Sequence, residues 1–159
     1  MTRIALDSNL LLYAELEPTS AKGLRARELI LKATRDGVVP IQVLGEFLRV
    51  VQRRLPAAFA EAVRQAERYR QIFLTPSTTD GVLATAAEVA LKHGLQLWDA
   101  VICAAADAAG ATVLLTEDLQ DGRRLNNLLL LDPFAAKNNA VIAAALGGYD
   151  RTVIPAKRE

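Results

Sequence analysis

A chain of 159 residues suits one domain, and at that length about two-thirds of the unfolded surface is buried on folding, so neither disulfides nor a structural metal is needed for a core. Hydrophobic residues make up 52% and aromatic ones 5%, which dictates an aliphatic core, while a charged fraction of 23% is ordinary for a soluble globular protein. A net charge of +1 argues against a broadly basic nucleic-acid coat but leaves room for an enzyme with a local basic rim. The single cysteine, Cys103, excludes an internal disulfide framework and fits a reducing compartment.

In chain order, "RIAL" reads as a short apolar strand, Arg3 to Leu6, ending at Asp7, with Ser8 or Asn9 capping the helix that follows. "AKGLRARELILKATRDG" spells an amphipathic helix with Leu24 and Leu31 on its apolar face and Gly37 as its stop. Val38 to Ile41 predicts a short strand. A helix then carries Leu44, Phe47, Leu48 and Val51 on one side, with Glu46 in its first turns. Pro56 opens the next helix, where Phe59, Val63 and Ala66 form a stripe and Glu61, Arg64, Glu67 and Arg68 face solvent.

Further along, a short strand or turn precedes a helix from Asp80 to His93, closed by Gly94. "LWDAVICAAADAAG" is another helix, stopped by Gly110; "ATVLLTED" is a strand, and "NLLLLDPF" the last one. The tail holds "NNAVIAAALGG", read as a short helix, and the final "IPAKRE" is expected to fray. Strands that are continuous apolar runs alternate with helices, which predicts an α/β fold: a mostly parallel sheet covered on both faces. No apolar run approaches the roughly 18 residues of a membrane span, and the opening run is too short for a signal peptide. The expectation is therefore a cytoplasmic protein with no membrane partner.

Carboxylates stand at the edges of these apolar runs. Asp7 follows the first strand, and Glu117 and Asp118 follow the strand beginning at Ala111; Glu46 and Asp99 lie near helix starts. Ligand sites of open α/β sheets gather beyond the carboxyl ends of the strands. Asp7, Glu46, Asp99 and Asp118 are thus candidates for one pocket. Taken singly, each also reads as an acid favoured at a helix start or on a wet face. Taken together, two carboxylates about 5 Å apart repel by roughly 3 kcal/mol at an effective dielectric near 20. A divalent cation removes that conflict, and an all-oxygen set suits Mg²⁺ or Mn²⁺ rather than Zn²⁺.

"IALDSNLLLYAEL", "VVPIQVLGEFLRVV", "LQLWDAVICAAA" and "VLLTEDLQDG" together resemble the successive motifs of PIN-domain ribonucleases, most closely the VapC-type toxins of toxin–antitoxin pairs. The resemblance runs from Arg3 to about Phe134. It implies a three-layer α/β/α fold with a mostly parallel central sheet, an Mg²⁺- or Mn²⁺-dependent endoribonuclease site, a homodimer, an RNA substrate and an antitoxin partner. By the same resemblance Asp7, Glu46, Asp99 and Asp118 match the four family acids as catalytic residues and metal ligands. Asp121 matches a further acid sometimes present, and Ser8, Asn9 and Thr116 match polar positions lining the site. "LDPF" departs from relatives that carry Asn before Pro-Phe, which touches a turn more than the chemistry. Residues 1–134 are then the nuclease domain and 135–159 an extension packed on it or trailing from it.

Two other functions compete with this reading: a PIN-like module that holds RNA or protein without cutting, and an Mg²⁺-dependent phosphatase or phospho-receiver. The intact set of four acids argues against the first. A receiver would want paired acids at the first strand, where "ALDSN" has one. Arg123 and Arg124 either hold RNA phosphates or are simply exposed. His93 reads as a helix-end residue, Cys103 as a small core residue, and Trp98 as core beside the pocket.

Overall fold

The structure, a computed structural model, describes residues 2–147; the expected fraying of "IPAKRE" and the end of the 135–159 extension lie outside the described residues. Strand β1 (Arg3–Leu6) leads directly into helix α1 (Ser8–Leu16), and α2 spans Ala21–Ala33. Helix α3 (Ile41–Arg54) is followed by a 3-10 turn at Pro56–Ala58, then α4 (Phe59–Ile72), α5 (Asp80–His93) and α6 (Leu97–Ala108). Strand β2 (Ala111–Leu115), a hairpin of β3 (Arg124–Leu125) and β4 (Leu128–Leu131), and a last helix α7 (Asn139–Ala145) complete the described chain.

The sheet order is β1-β2-β4-β3, with β1–β2 and β2–β4 parallel and β3–β4 antiparallel. The β1-to-β2 step crosses over through α1 to α6, whereas the chain reaches β4 from β2 through a loop and the short β3, and the central strands are largely buried and apolar. Leu6, Leu114, Leu115, Leu128 and Leu130 are all fully buried. This is the mostly parallel α/β architecture that the alternation of runs predicts.

Local differences have physical causes. The strand predicted over 38–41 shrinks to single bridges, Ala5 to Val38 and Val38 to Leu74, because Pro40 becomes the N-cap of α3 and the helix starts at once. The cap of α1 is Asp7 itself, whose Oδ1 accepts from the Ser8 N–H at 2.7 Å, rather than Ser8 or Asn9. Helix α2 buries Gly23, Ala26, Leu29 and Ala33, leaving Leu24 and Leu31 exposed. Its small face lets the backbone approach α1, and a Cβ on Gly23 would overlap the Glu17 carbonyl. In α4 the buried stripe is Ala62, Ala66 and Tyr69, with Val63 exposed. Tyr69 sets that phase by meeting Phe47 edge to face at 6.3 Å.

Strand β3, only two residues long, carries no periodic signal and was not anticipated from the sequence. The helices of residues 80–93 and 97–108 end as expected, at Gly94 with φ 66° and near Gly110 with φ 80°. The extension is packed on the domain as far as it is described: Ile142 is fully buried, and Arg25 donates to Pro133 O and to Asn139 Oδ1.

Candidate active site

The parallel register of β1 and β2 sets the site. Leu6 pairs with Leu115, and the Asp7 N–H donates to Leu115 O, so both strands end side by side and the next residues of each emerge at one edge. Asp7 is 5% exposed. Its Oδ1 accepts from the Ser8 N–H, and its Oδ2 accepts from the Thr116 hydroxyl at 2.7 Å and from Asn9 Nδ2 at 3.5 Å. Thr116, fully buried, also accepts from the Asp118 N–H at 3.2 Å. Asn9 Nδ2 reaches Thr116 Oγ1 at 3.4 Å and Asp118 Oδ2 at 3.2 Å. Ser8 Oγ donates to Glu46 Oε2 at 3.1 Å, joining α3 to the same network.

The electrostatics tie in the fourth acid. Burial pushes the Asp7 carboxyl up to about 6, against the Thr116 and Ser8 hydrogen bonds, and Glu46 and Asp118 add repulsion. Burial also raises Glu46, with repulsion from Asp99. Asp99, half-buried in the first turn of α6, is raised by burial and then by Asp118. None of the ion pairs among the described residues includes any of these four acids.

The structure thus gathers Asp7, Glu46, Asp99 and Asp118, with Ser8, Asn9 and Thr116 between them. Asp7, Glu46 and Asp118 are linked through those polar side chains, whereas Asp99 is tied to Glu46 and Asp118 only by repulsion, and the four are not closed into a shell. Among the described residues no three His, Cys, Asp or Glu side chains are placed so that they could hold a metal ion. Two observations still fit a hard divalent cation. The donors are all oxygen and none of the four acids is in an ion pair among the described residues, although Arg49 partly offsets Glu46, and Asn9 Oδ1 is buried without a partner, an acceptor facing no donor.

Other sequence candidates land elsewhere. Asp121 accepts from the Asp132 N–H and from Asn138 Nδ2, each at 2.8 Å, and pairs with Lys137 at 2.7 Å, which hold its carboxyl down near 2. It anchors the extension. Arg123 donates to His93 O at 2.8 Å, bracing the hairpin against the end of α5, while the exposed Arg124 lies on β3 and donates to Asn127 O at 3.4 Å. Trp98 is not core: it is 47% exposed, because α6 is buried only from Ala100 onward. Cys103 is buried, and that burial pushes its thiol up to about 12.

Gln42, one turn before Glu46 in α3, opposes the upward push on the Glu46 carboxyl and was not read from the sequence; its i,i+4 spacing to Glu46 was the available signal. Glu117, Tyr13 and Lys22 were also missed as a group. Their partnership spans 104 and 95 residues and leaves no local trace.

Comparison with known proteins places the fold. The PIN domain family model matches residues 4–124, and the chain belongs to that family. VapC20 of Mycobacterium tuberculosis, a Sarcin-Ricin loop cleaving toxin, is similar in structure (TM-score 0.60, 19% identity, covering 72% of this chain and 91% of that one). So are a chain of the DNA-bound VapBC of Salmonella typhimurium (TM-score 0.63, 16% identity, 84% and 99% covered) and one of a toxin-antitoxin complex from Klebsiella pneumoniae (TM-score 0.62, 14% identity, 82% and 98% covered). Among curated protein sequences no match was found.

Proposed function

We propose that this protein is an Mg²⁺- or Mn²⁺-dependent endoribonuclease and the toxin of a toxin–antitoxin pair. The observation that carries the reading is the meeting of Asp7, Glu46, Asp99 and Asp118 beside one sheet edge with, among the described residues, no Lys or Arg in an ion pair with any of them. When bound there, a divalent cation supplies Lewis-acid activation of a phosphodiester and a source of nucleophilic water. Asp7 and Asp99 are the strongest ligands in this proposal, with Glu46 and Asp118 completing the set. Thr116 and Ser8 hold the Asp7 carboxylate in one orientation, so little rearrangement is needed when a cation arrives.

The similar structures support the biological role: one is described as a Sarcin-Ricin loop cleaving toxin and two come from VapBC or toxin–antitoxin assemblies. On that basis the substrate is RNA and the partner is an antitoxin, and the family resemblance adds a homodimer as the working form. No helix among the described residues is long and apolar enough to cross a membrane, which is compatible with action in the cytoplasm.

The test is cleavage of tRNA, rRNA and mRNA with added Mg²⁺ or Mn²⁺, with EDTA, and with Asp99→Asn. Cutting is expected only with metal, and Asp99→Asn is expected to lose at least about a hundredfold in rate while keeping its circular dichroism spectrum. A variant that cuts at the parent rate would remove Asp99 from the site. RNA binding without cutting under every metal condition would make the chain a binding module instead.

A further inference from the structure

Glu117 is the neighbour of Asp118, yet its carboxylate is engaged on the far side of the loop. Oε1 accepts the Tyr13 hydroxyl at 2.6 Å, and Oε2 accepts Lys22 Nζ at 2.7 Å. Lys22 also donates to the Tyr13 oxygen at 3.3 Å and lies 5.0 Å from the Tyr13 ring centre and 5.2 Å from that of Phe134. Those two rings meet edge to face at 5.2 Å. Both oxygens of Glu117 are therefore taken, by side chains carried on α1 and α2, and the cation is itself seated on two aromatic faces.

Asp118 has no such support of its own. It is the exposed acid of the four and sits in the irregular segment between β2 and β3. Its direct anchors are the Thr116 hydroxyl on its N–H and Asn9 Nδ2 on its carboxylate. Residues 117 and 118 share one planar peptide, so holding the Glu117 carboxylate at both oxygens narrows the backbone orientations open to residue 118. Lys22 has a side-chain exposure of 46%, and a pair of that kind contributes little to global stability. Its effect is on where the loop points.

We propose that Lys22 and Tyr13 are positioning residues: by pinning Glu117 they aim Asp118 at the cation. The inference rests on the metal-dependent nuclease reading above. Its readout is Mn²⁺ affinity, measured by titration calorimetry on the full chain. Lys22→Met is expected to weaken Mn²⁺ binding by about fivefold, and Tyr13→Phe, which keeps the ring, to weaken it in the same direction. Lys22→Arg is expected to restore parental affinity.

The discriminating measurement is the double variant. In an Asp118→Asn background Lys22→Met is expected to change nothing further, because the group it serves is already gone. An equal loss in both backgrounds would overturn the inference, and so would a Lys22→Met variant that binds Mn²⁺ like the parent. A parent protein that takes up no Mn²⁺ would overturn the nuclease reading and this inference with it; a parent that binds while Lys22→Met is silent overturns this inference alone.

Discussion

Asp7 carries two duties with opposite energetics. As the cap of α1 it stabilises the fold, whereas as a buried anion it opposes it. Its carboxyl is raised from 3.8 to about 6, so the folded chain holds that proton more tightly than the unfolded chain does. The sign follows: the penalty is absent below pH 3.8, grows between there and about pH 6, and is complete above, at about 3 kcal/mol. In EDTA the melting temperature is therefore expected to carry a component that falls with rising pH across this window. Asp7→Asn, whose one oxygen can still cap the helix while its amide donates to Thr116 Oγ1, should remove that component and melt higher than the parent at pH 7. Thermal melts at pH 4 to 7 check this, and identical slopes for the two proteins would refute it. Asp7, Asp99 and Asp118 were legible in the sequence because each interrupts or ends an apolar run, where an unpaired charge is costly without a reason. The exposure of Trp98 was not legible, since nothing local reveals that α6 enters the core only two residues later.

At the scale of elements, the sequence displays periodicity but not which side chains touch. Leu24, Leu31 and Val63 look like core by hydropathy and are exposed; the true contacts of α2 and α4 run through Gly23, Ala26, Ala62 and Ala66. Small residues are the ones that admit close backbone approach, and they barely register on a hydropathy scale. Gly23→Ala tests this directly. Helix propensity alone would favour the change by about 1 kcal/mol, yet the new methyl meets the Glu17 carbonyl. A net loss of about 2 kcal/mol is expected in urea unfolding, and a gain would show that α1 and α2 have room to separate. The strands were legible wherever they are buried on both faces. Val38 and β3 were not, because one- and two-residue pairings owe their existence to neighbours rather than to their own composition.

At the scale of the whole molecule, the segment after β4 is part of the domain's architecture. Ile142 is fully buried, and Asn138 and Lys137 hold Asp121 at the base of the hairpin. Ile142→Ala is expected to cost about 3 kcal/mol in urea unfolding; a loss below about 1 kcal/mol would mean α7 packs only loosely. The sequence showed a short helix there but gave no reason to seat it, because its partners, Arg25 and Asp121, are distant in the chain. The nearness of Asp7 and Asp118, by contrast, follows from the parallel pairing of β1 and β2, which the alternation of runs already implied, while Glu46 and Asp99 are brought in by helices α3 and α6.

That the first acid doubles as a helix cap has an evolutionary corollary. Asparagine caps a helix about as well as aspartate, and the two are one nucleotide apart in the genetic code. On the reading proposed here, a cell burdened by this protein can therefore silence it in a single mutational step, obtaining a well-folded and inert copy that would still be recognised by whatever grips its surface. Escape mutants selected for tolerance should concentrate at site acids such as residues 7 and 99 rather than scatter through the core.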